Sequence, residues 1–195
     1  MKAFHRSLTI FFVLLLVIVS TAYAESPNTM IYKADKALAE NPNDAKAYYN
    51  RGTAYLSLEQ YDAAITNFTK SISLEPKAPD SYFNRGLTYR LQKKNTEALA
   101  DFSKAIEIFA DNWAYYYERC NARIVTSDFA GAVADGSEMV RLAPKEANSY
   151  FMRGLAKYLG GDPDAGLADA EKALELKSWH PEALRLKTEI LEKKK

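Results

Sequence analysis

Four arginines stand 34 residues apart, Arg51, Arg85, Arg119 and Arg153, and three are followed sixteen residues later by an aspartate: Asp101, Asp135 and Asp169. Asn67 holds that place after Arg51. A guanidinium and a carboxylate at fixed separation either hold the charge of a ligand or neutralise each other where two helices meet. Charges near a core are usually paired, so the spacing predicts structural ion pairs across antiparallel helices, with a hydrogen bond in the first case. Other chemistry is thinly supplied. With residues 1–24 removed, as argued below, His180 is the one remaining histidine, in an expected turn. No serine–histidine–acid set, thiol–histidine pair or multi-histidine metal site can be assembled from it. The remaining carboxylates recur on expected helix exteriors, and "LGGDPD" lacks the lysine of a phosphate-binding loop. The expectation is a chain that is not an enzyme, with no cofactor and no metal. Cys120 is the one cysteine and cannot close an internal disulfide; a small buried side chain is expected, with pairing to another chain as the alternative.

The arginines sit inside repeated words: "YYNRGTAY" at 48–55, "YFNRGLTY" at 82–89, "YYERCNAR" at 116–123 and "YFMRGLAK" at 150–157. The period fixes repeats at 45–78, 79–112, 113–146 and 147–180. Within each, apolar residues recur at helical spacing in two blocks around a short polar turn, which makes each repeat a helical hairpin. Asp62, Thr96, Asp128 and Asp164 are the expected caps of the second helices. A half unit at 28–44 matches a second helix, and 181–195 begins like a further first helix; atypical ends of this kind close a stack of repeats. The fold class expected is all-α, an α-solenoid of hairpins.

These words resemble the tetratricopeptide repeat family. Tyr48, Gly52, Tyr55, Ala64, Phe68 and Pro76 match its pattern in the first repeat, and Tyr82, Gly86, Tyr89, Ala98 and Phe102 in the second. The later repeats depart together: Tyr55 with Phe68 becomes Arg123 with Gly136, then Lys157 with Ala170. A long cationic stem lying in the vacated space with its head in water is expected, with Met139 filling the hole beside Gly136.

The resemblance implies that the first aromatic of each doublet packs between the helices of its own repeat, while its neighbour, about 100° further round the helix, faces a concave groove. Tyr49, Phe83, Tyr117 and Phe151 then form a ladder, joined by Asn50, Asn84, Glu118 and Met152 and by Thr53, Leu87, Asn121 and Leu155. Four half-exposed rings with leucines beside them would rival the roughly 300–600 Å² largest apolar patch of an ordinary monomer. The implied partner is a peptide or helix of an envelope protein. The family's clamp for acidic carboxyl tails is not matched, because Tyr49, Ala114 and Glu118 occupy its basic places. A glycan stacking on the rings is the alternative. Nucleic acid is not indicated: with Lys2 and Arg6 set aside, 24 basic residues face 25 acidic ones.

The first segment reads differently. Lys2 and Arg6 precede the apolar run "LTIFFVLLLVIV" (Leu8 to Val19), and Ala22 and Ala24 suit a signal peptidase. Twelve helical residues rise only about 18 Å against a hydrocarbon core of roughly 30 Å, so a cleaved signal is favoured over a membrane anchor. The expected mature chain, 25–195, is periplasmic or secreted, with no stable membrane span. Asn67-Phe68-Thr69 is a glycosylation sequon, relevant only in a eukaryotic host.

Overall fold

The computed structural model describes residues 25–193. The expected export signal at 1–24 and the two final lysines lie outside the described residues. Ten α-helices and no strand are present among the described residues. Helix α1 (Pro27–Glu40) is followed by four hairpins: α2 (Ala45–Ser57) with α3 (Tyr61–Leu74), α4 (Pro79–Leu91) with α5 (Asn95–Ile108), α6 (Trp113–Val125) with α7 (Phe129–Leu142), and α8 (Ala147–Leu159) with α9 (Pro163–Leu176). Helix α10 (Pro181–Lys193) closes the stack. Each helix packs on its neighbours in sequence, as in a solenoid. None of the described helices is long and apolar enough to cross a membrane.

Helices of 13 or 14 residues are marginal alone, so their stability comes from the faces they bury. Those faces are built from small residues: Ala54, Ala64, Ala98, Ala132, Ala156 and Ala170 are fully buried and let helix backbones approach closely. Phe68 and Phe102 supply the bulk in the first two hairpins. A Cβ on Gly52 would stand 2.8 Å from the ring of Phe68, and one on Gly86 2.8 Å from the ring of Phe102. Glycine is therefore required where helix and ring meet. The hairpin turns each place one residue at positive φ, namely Glu59, Lys93, Ser127 and Gly161.

The caps differ from expectation at three of four second helices. Asp128 accepts from the Gly131 amide as predicted. At α9 the cap is Asp162, which accepts from Ala165, and Asp164 lies inside the first turn. Helices α3 and α5 begin after Gln60 and Lys94 with no side-chain cap. Asp62 instead accepts from Gln92 Nε2 at 2.8 Å, tying one hairpin turn to the next.

Candidate groove on the first helices

The arginine pairs form as the spacing predicts. Arg85 donates to both oxygens of Asp101 at 2.8 Å, Arg153 to Asp169 at 2.7 and 2.8 Å, and Arg51 Nε to Asn67 Oδ1 at 2.8 Å. The hydrogen bonds to these carboxylates, opposed by burial, hold the Arg85 and Arg153 guanidiniums above their ordinary range. A second partner, sixteen residues upstream on the preceding hairpin or on α1, was not read from the sequence. Arg51 reaches Asp35, Arg85 reaches Thr69 and Arg119 reaches Ser103, while Lys187 on α10 pairs with Glu171 in the same relation. Each arginine also lies over the first ring of its own doublet, at 5.3 to 5.8 Å from the centroids of Tyr48, Tyr82, Tyr116 and Tyr150. With their carboxylates engaged, these arginines are structural ties. Asn67, half of the sequon, is buried and also donates to the Ala63 carbonyl, so it offers no acceptor for a sugar.

In repeats three and four the substituted cations turn inward. Arg123 Nη1 lies 2.8 Å from Asp135, and Lys157 Nζ 2.7 Å from Asp169. The expected outward path is corrected: the carboxylate is the nearer and deeper partner once Phe is replaced by Gly136 or Ala170. Nor does Met139 fill the space at Gly136. A Cβ there would meet Arg153 Cα at 2.9 Å, so helix α8 occupies it, and Met139 is buried among Tyr116, Cys120 and Met152.

The first rings pack within their own hairpins where the family implies it, Tyr116 with Ala132 and Met139 and Tyr150 against the cluster that holds Ala173. The second rings also reach inward: Tyr49 lies 6.0 Å from Phe68 and Phe83 lies 5.8 Å from Phe102. Phe83 further packs at 4.8 Å on Tyr115 of the next hairpin, Phe151 at 5.2 Å on His180, and Tyr117 stacks on Trp113 at 5.0 Å. All four rings remain partly exposed. The ladder is thus half core, half surface. Asn84 donates to the Tyr49 hydroxyl at 2.9 Å, and Tyr115 donates to Asp80 at 2.7 Å. Burial, then nearby Asp80, raises the Tyr49 phenol, and Tyr115 is raised by burial and its bond to Asp80.

Asn50, Thr53, Leu87, Asn121 and Leu155 are partly exposed beside these rings. Met152 is the exception. It is buried with Tyr116, Cys120, Met139 and Ala156, so its side chain serves the joint with the preceding hairpin and leaves the groove. His180 is buried as well; its Nδ1 accepts from the Ala183 amide and its Nε2 faces Asn148 Oδ1 at 2.9 Å, which makes it the cap of α10.

Between α4 and α6 the groove opens into a cavity of about 600 Å³ lined by Arg90, Lys93, Asn95, Tyr117, Glu118, Asn121 and Val125. Glu118 Oε2 lies 3.0 Å from Arg90 Nε, and neither atom makes a hydrogen bond of good geometry although both are buried. Burial pushes the Glu118 carboxyl up and Arg90 opposes the shift. Arg90 and Val125 were not among the sequence candidates. Val125 was findable, being four residues beyond Asn121 and eight beyond Tyr117 on one helix face.

Residues 45–78 and 79–112 match the model of the tetratricopeptide repeat family. These two stretches are tetratricopeptide repeats. Over 49 residues, 25% of this chain, the sequence is 45% identical to serine/threonine-protein phosphatase T of Trypanosoma brucei brucei, and it spans about 10% of that protein's length. Among solved structures, YrrB, described as a TPR protein with an unusual peptide-binding site, superposes with a TM-score of 0.76 at 21% identity, covering 92% of this chain and 90% of that one. MamA from Desulfovibrio magneticus RS-1 gives 0.73 at 18% identity over 77% of this chain and 85% of its own. The first TPR of Spaghetti, bound to an HSP90 peptide, gives 0.56 at 24% identity over 59% and 91%. The shared feature is the tetratricopeptide repeat solenoid.

Proposed function

We propose that this chain is a non-enzymatic scaffold that holds a segment of a partner protein against the face formed by α2, α4, α6 and α8. The observation that carries the reading is the cavity between α4 and α6, where Tyr117 and Val125 supply apolar surface beside Asn121, Glu118 and Arg90. Rings and aliphatic groups give contact area, and amides satisfy polar groups of the bound segment. The described peptide site of YrrB and the peptide held by Spaghetti support such a use of this fold. Glu118 stands where an acidic tail would need a cation, so the segment is not held by the family's clamp for such tails. The basic start, apolar run and small residues of 1–24 support export, with the partner in the cell envelope, in a periplasm or outside the cell.

A carbohydrate ligand needs free ring faces, and Phe83 gives its faces to Phe102 and Tyr115, which favours the protein reading. The test is capture from envelope extract beside a Tyr117→Ala/Asn121→Ala variant, with purified cell-wall glycan as a parallel ligand. Capture of one protein by the wild type and its loss in the variant supports the proposal. Saturable glycan binding without protein capture overturns it. Export is tested separately, by fusing residues 1–24 to a reporter and sequencing the amino terminus of the exported product, which is expected to begin at Glu25.

A further inference from the structure

A unit that caps a stack of repeats needs a polar outer face. Helix α10 departs from that rule. Its Ala183, Leu186 and Ile190 are buried against α8 and α9, and the side turned away from them presents Leu184, Thr188 and Leu191, all exposed. Leu184 and Leu191 expose 46% and 41% of their surface, and Trp179, just before the helix, exposes 75%. Trp179, Leu184, Arg185, Thr188 and Glu192 line an open depression of about 460 Å³. Thr188 holds the place at which Gly52 and Gly86 meet Phe68 and Phe102, so this is the side on which a first helix receives another helix. Around Thr188 the face is symmetric in sequence: Leu184 lies four residues before it and Leu191 three after, Arg185 three before and Glu192 four after. At about 100° per residue, both leucines fall to one side of Thr188 and both charges to the other. Lys187 is held by Glu171, and Glu189 by Tyr158 and Lys193, whereas Arg185 and Glu192 make no hydrogen bond or ion pair among the described residues.

We infer that α10 is a self-association surface, pairing antiparallel with α10 of a second copy about a two-fold axis at Thr188. Such an axis reverses one helix along its length and keeps each side of the face against its own counterpart, which is the condition for an isologous contact. Leu184 then meets Leu191 of the second copy and Arg185 meets its Glu192, and each contact occurs twice. A cation at one end and an anion at the other, on one side of an apolar row, is a self-complementary pattern. The other occupant that the repeats offer is α1 of a second copy, a second-helix half unit that would complete a hairpin with α10. Charge argues against it. Where the hairpins set Arg85 against Asp101 or Arg153 against Asp169, α10 carries Lys187 and α1 carries Lys33, so that joint would bring like charges together. One helix of about 20 Å and one indole from each copy cover less than the roughly 1,600 Å² of a standard interface, so the pair forms only at micromolar and higher concentrations.

Sedimentation equilibrium of the purified protein from about 1 to 300 µM tests this. A monomer–dimer equilibrium that goes no further than the dimer is expected. Arg185→Glu alone, and Glu192→Arg alone, should each weaken the dimer at least tenfold, and the swapped pair Arg185→Glu/Glu192→Arg should return it to within about threefold of the wild type, because only the swap restores both ion pairs. Thr188→Cys should give a disulfide-linked dimer under mild oxidation, with buried Cys120 taking no part. All these side chains are exposed, so circular dichroism of the variants should match the wild type. A monomer throughout, species that grow beyond the dimer with concentration, a dimer indifferent to Arg185→Glu, a swap that fails to restore it, or a dimer that Thr188→Cys does not crosslink each overturns the inference. Capture of an envelope partner by the groove is a separate readout, and none of these results bears on it.

Discussion

Arg119 donates to both oxygens of Asp135, Nη2 to Oδ1 at 2.6 Å and Nε to Oδ2 at 3.1 Å, while its Nη1 reaches Ser103 on the preceding hairpin at 3.1 Å. One guanidinium therefore ties α6 to α7 and both to α5. Asp135 is almost fully buried and also receives Arg123. Removing it leaves two cations beside a core without their counter-charge, and breaking a buried pair in this way costs about 3–5 kcal/mol. Asp135→Ala is expected to lower the urea midpoint accordingly, and Arg119→Met/Arg123→Met/Asp135→Leu to recover most of the loss. A loss below about 1 kcal/mol, the range of surface pairs, would remove these ties from the account of stability.

Asp169 links the same architecture to pH. Burial disfavours its charge, but the hydrogen bonds from Arg153 and Lys157 outweigh burial and hold its carboxyl below the ordinary range. A depressed folded value means that the stability it contributes is fully present above the ordinary carboxylate value near 4. It is lost as pH falls through the folded value, where the unfolded chain binds the proton first. In urea titrations between pH 5 and 2.5, Asp169→Asn should flatten the acid decline seen in the wild type. Parallel declines would contradict the assignment.

Cys120 is fully buried, its thiol pushed up to about 12 by burial and by nearby Asp135. A thiol with an ordinary value near 8.5 is partly ionised at pH 8; this one is not. A thiol reagent at pH 8 should label the native protein at least about a hundredfold more slowly than the protein in urea. The sequence expectation of a buried side chain thus holds, and disulfide pairing through the folded chain is disfavoured.

At Gly136 the third hairpin lies directly against the backbone of the fourth. A Cβ there meets Arg153 Cβ at 2.7 Å and its Cα at 2.9 Å, atoms that cannot step aside without moving α8. Gly136→Ala should destabilise by about 1–3 kcal/mol, the usual cost of overpacking. Its effect on hydrogen exchange should centre on α7 and α8. Unchanged stability would show that the joint between these hairpins is loose.

The period of 34 made the hairpins and the sixteen-residue arginine ties legible, because both follow from position along two antiparallel helices. The upstream ties were not, since Asp35, Thr69, Ser103 and Glu171 share a place but no single chemistry. The doublets were legible in part: adjacent rings differ by about 100° around a helix, and the first ring packs within its hairpin at Tyr116 and Tyr150, but the second ring's reach to Phe68 and Phe102 depends on the room beside Gly52 and Gly86. Met152 shows the same limit, since the third hairpin's Cys120 and Met139 draw it into the core. At Arg123 and Lys157, cation and small partner were visible as a linked change, but the pull of Asp135 and Asp169 on the cation was not.

The central claim is that the partner meets the face of the first helices. A photoreactive phenylalanine analogue placed at Tyr117, and separately at exposed Lys70 on α3, measures this in envelope extract. One crosslinked protein from the Tyr117 probe and none from Lys70 is the predicted result; crosslinking of a specific partner through Lys70 with none through Tyr117 would contradict it.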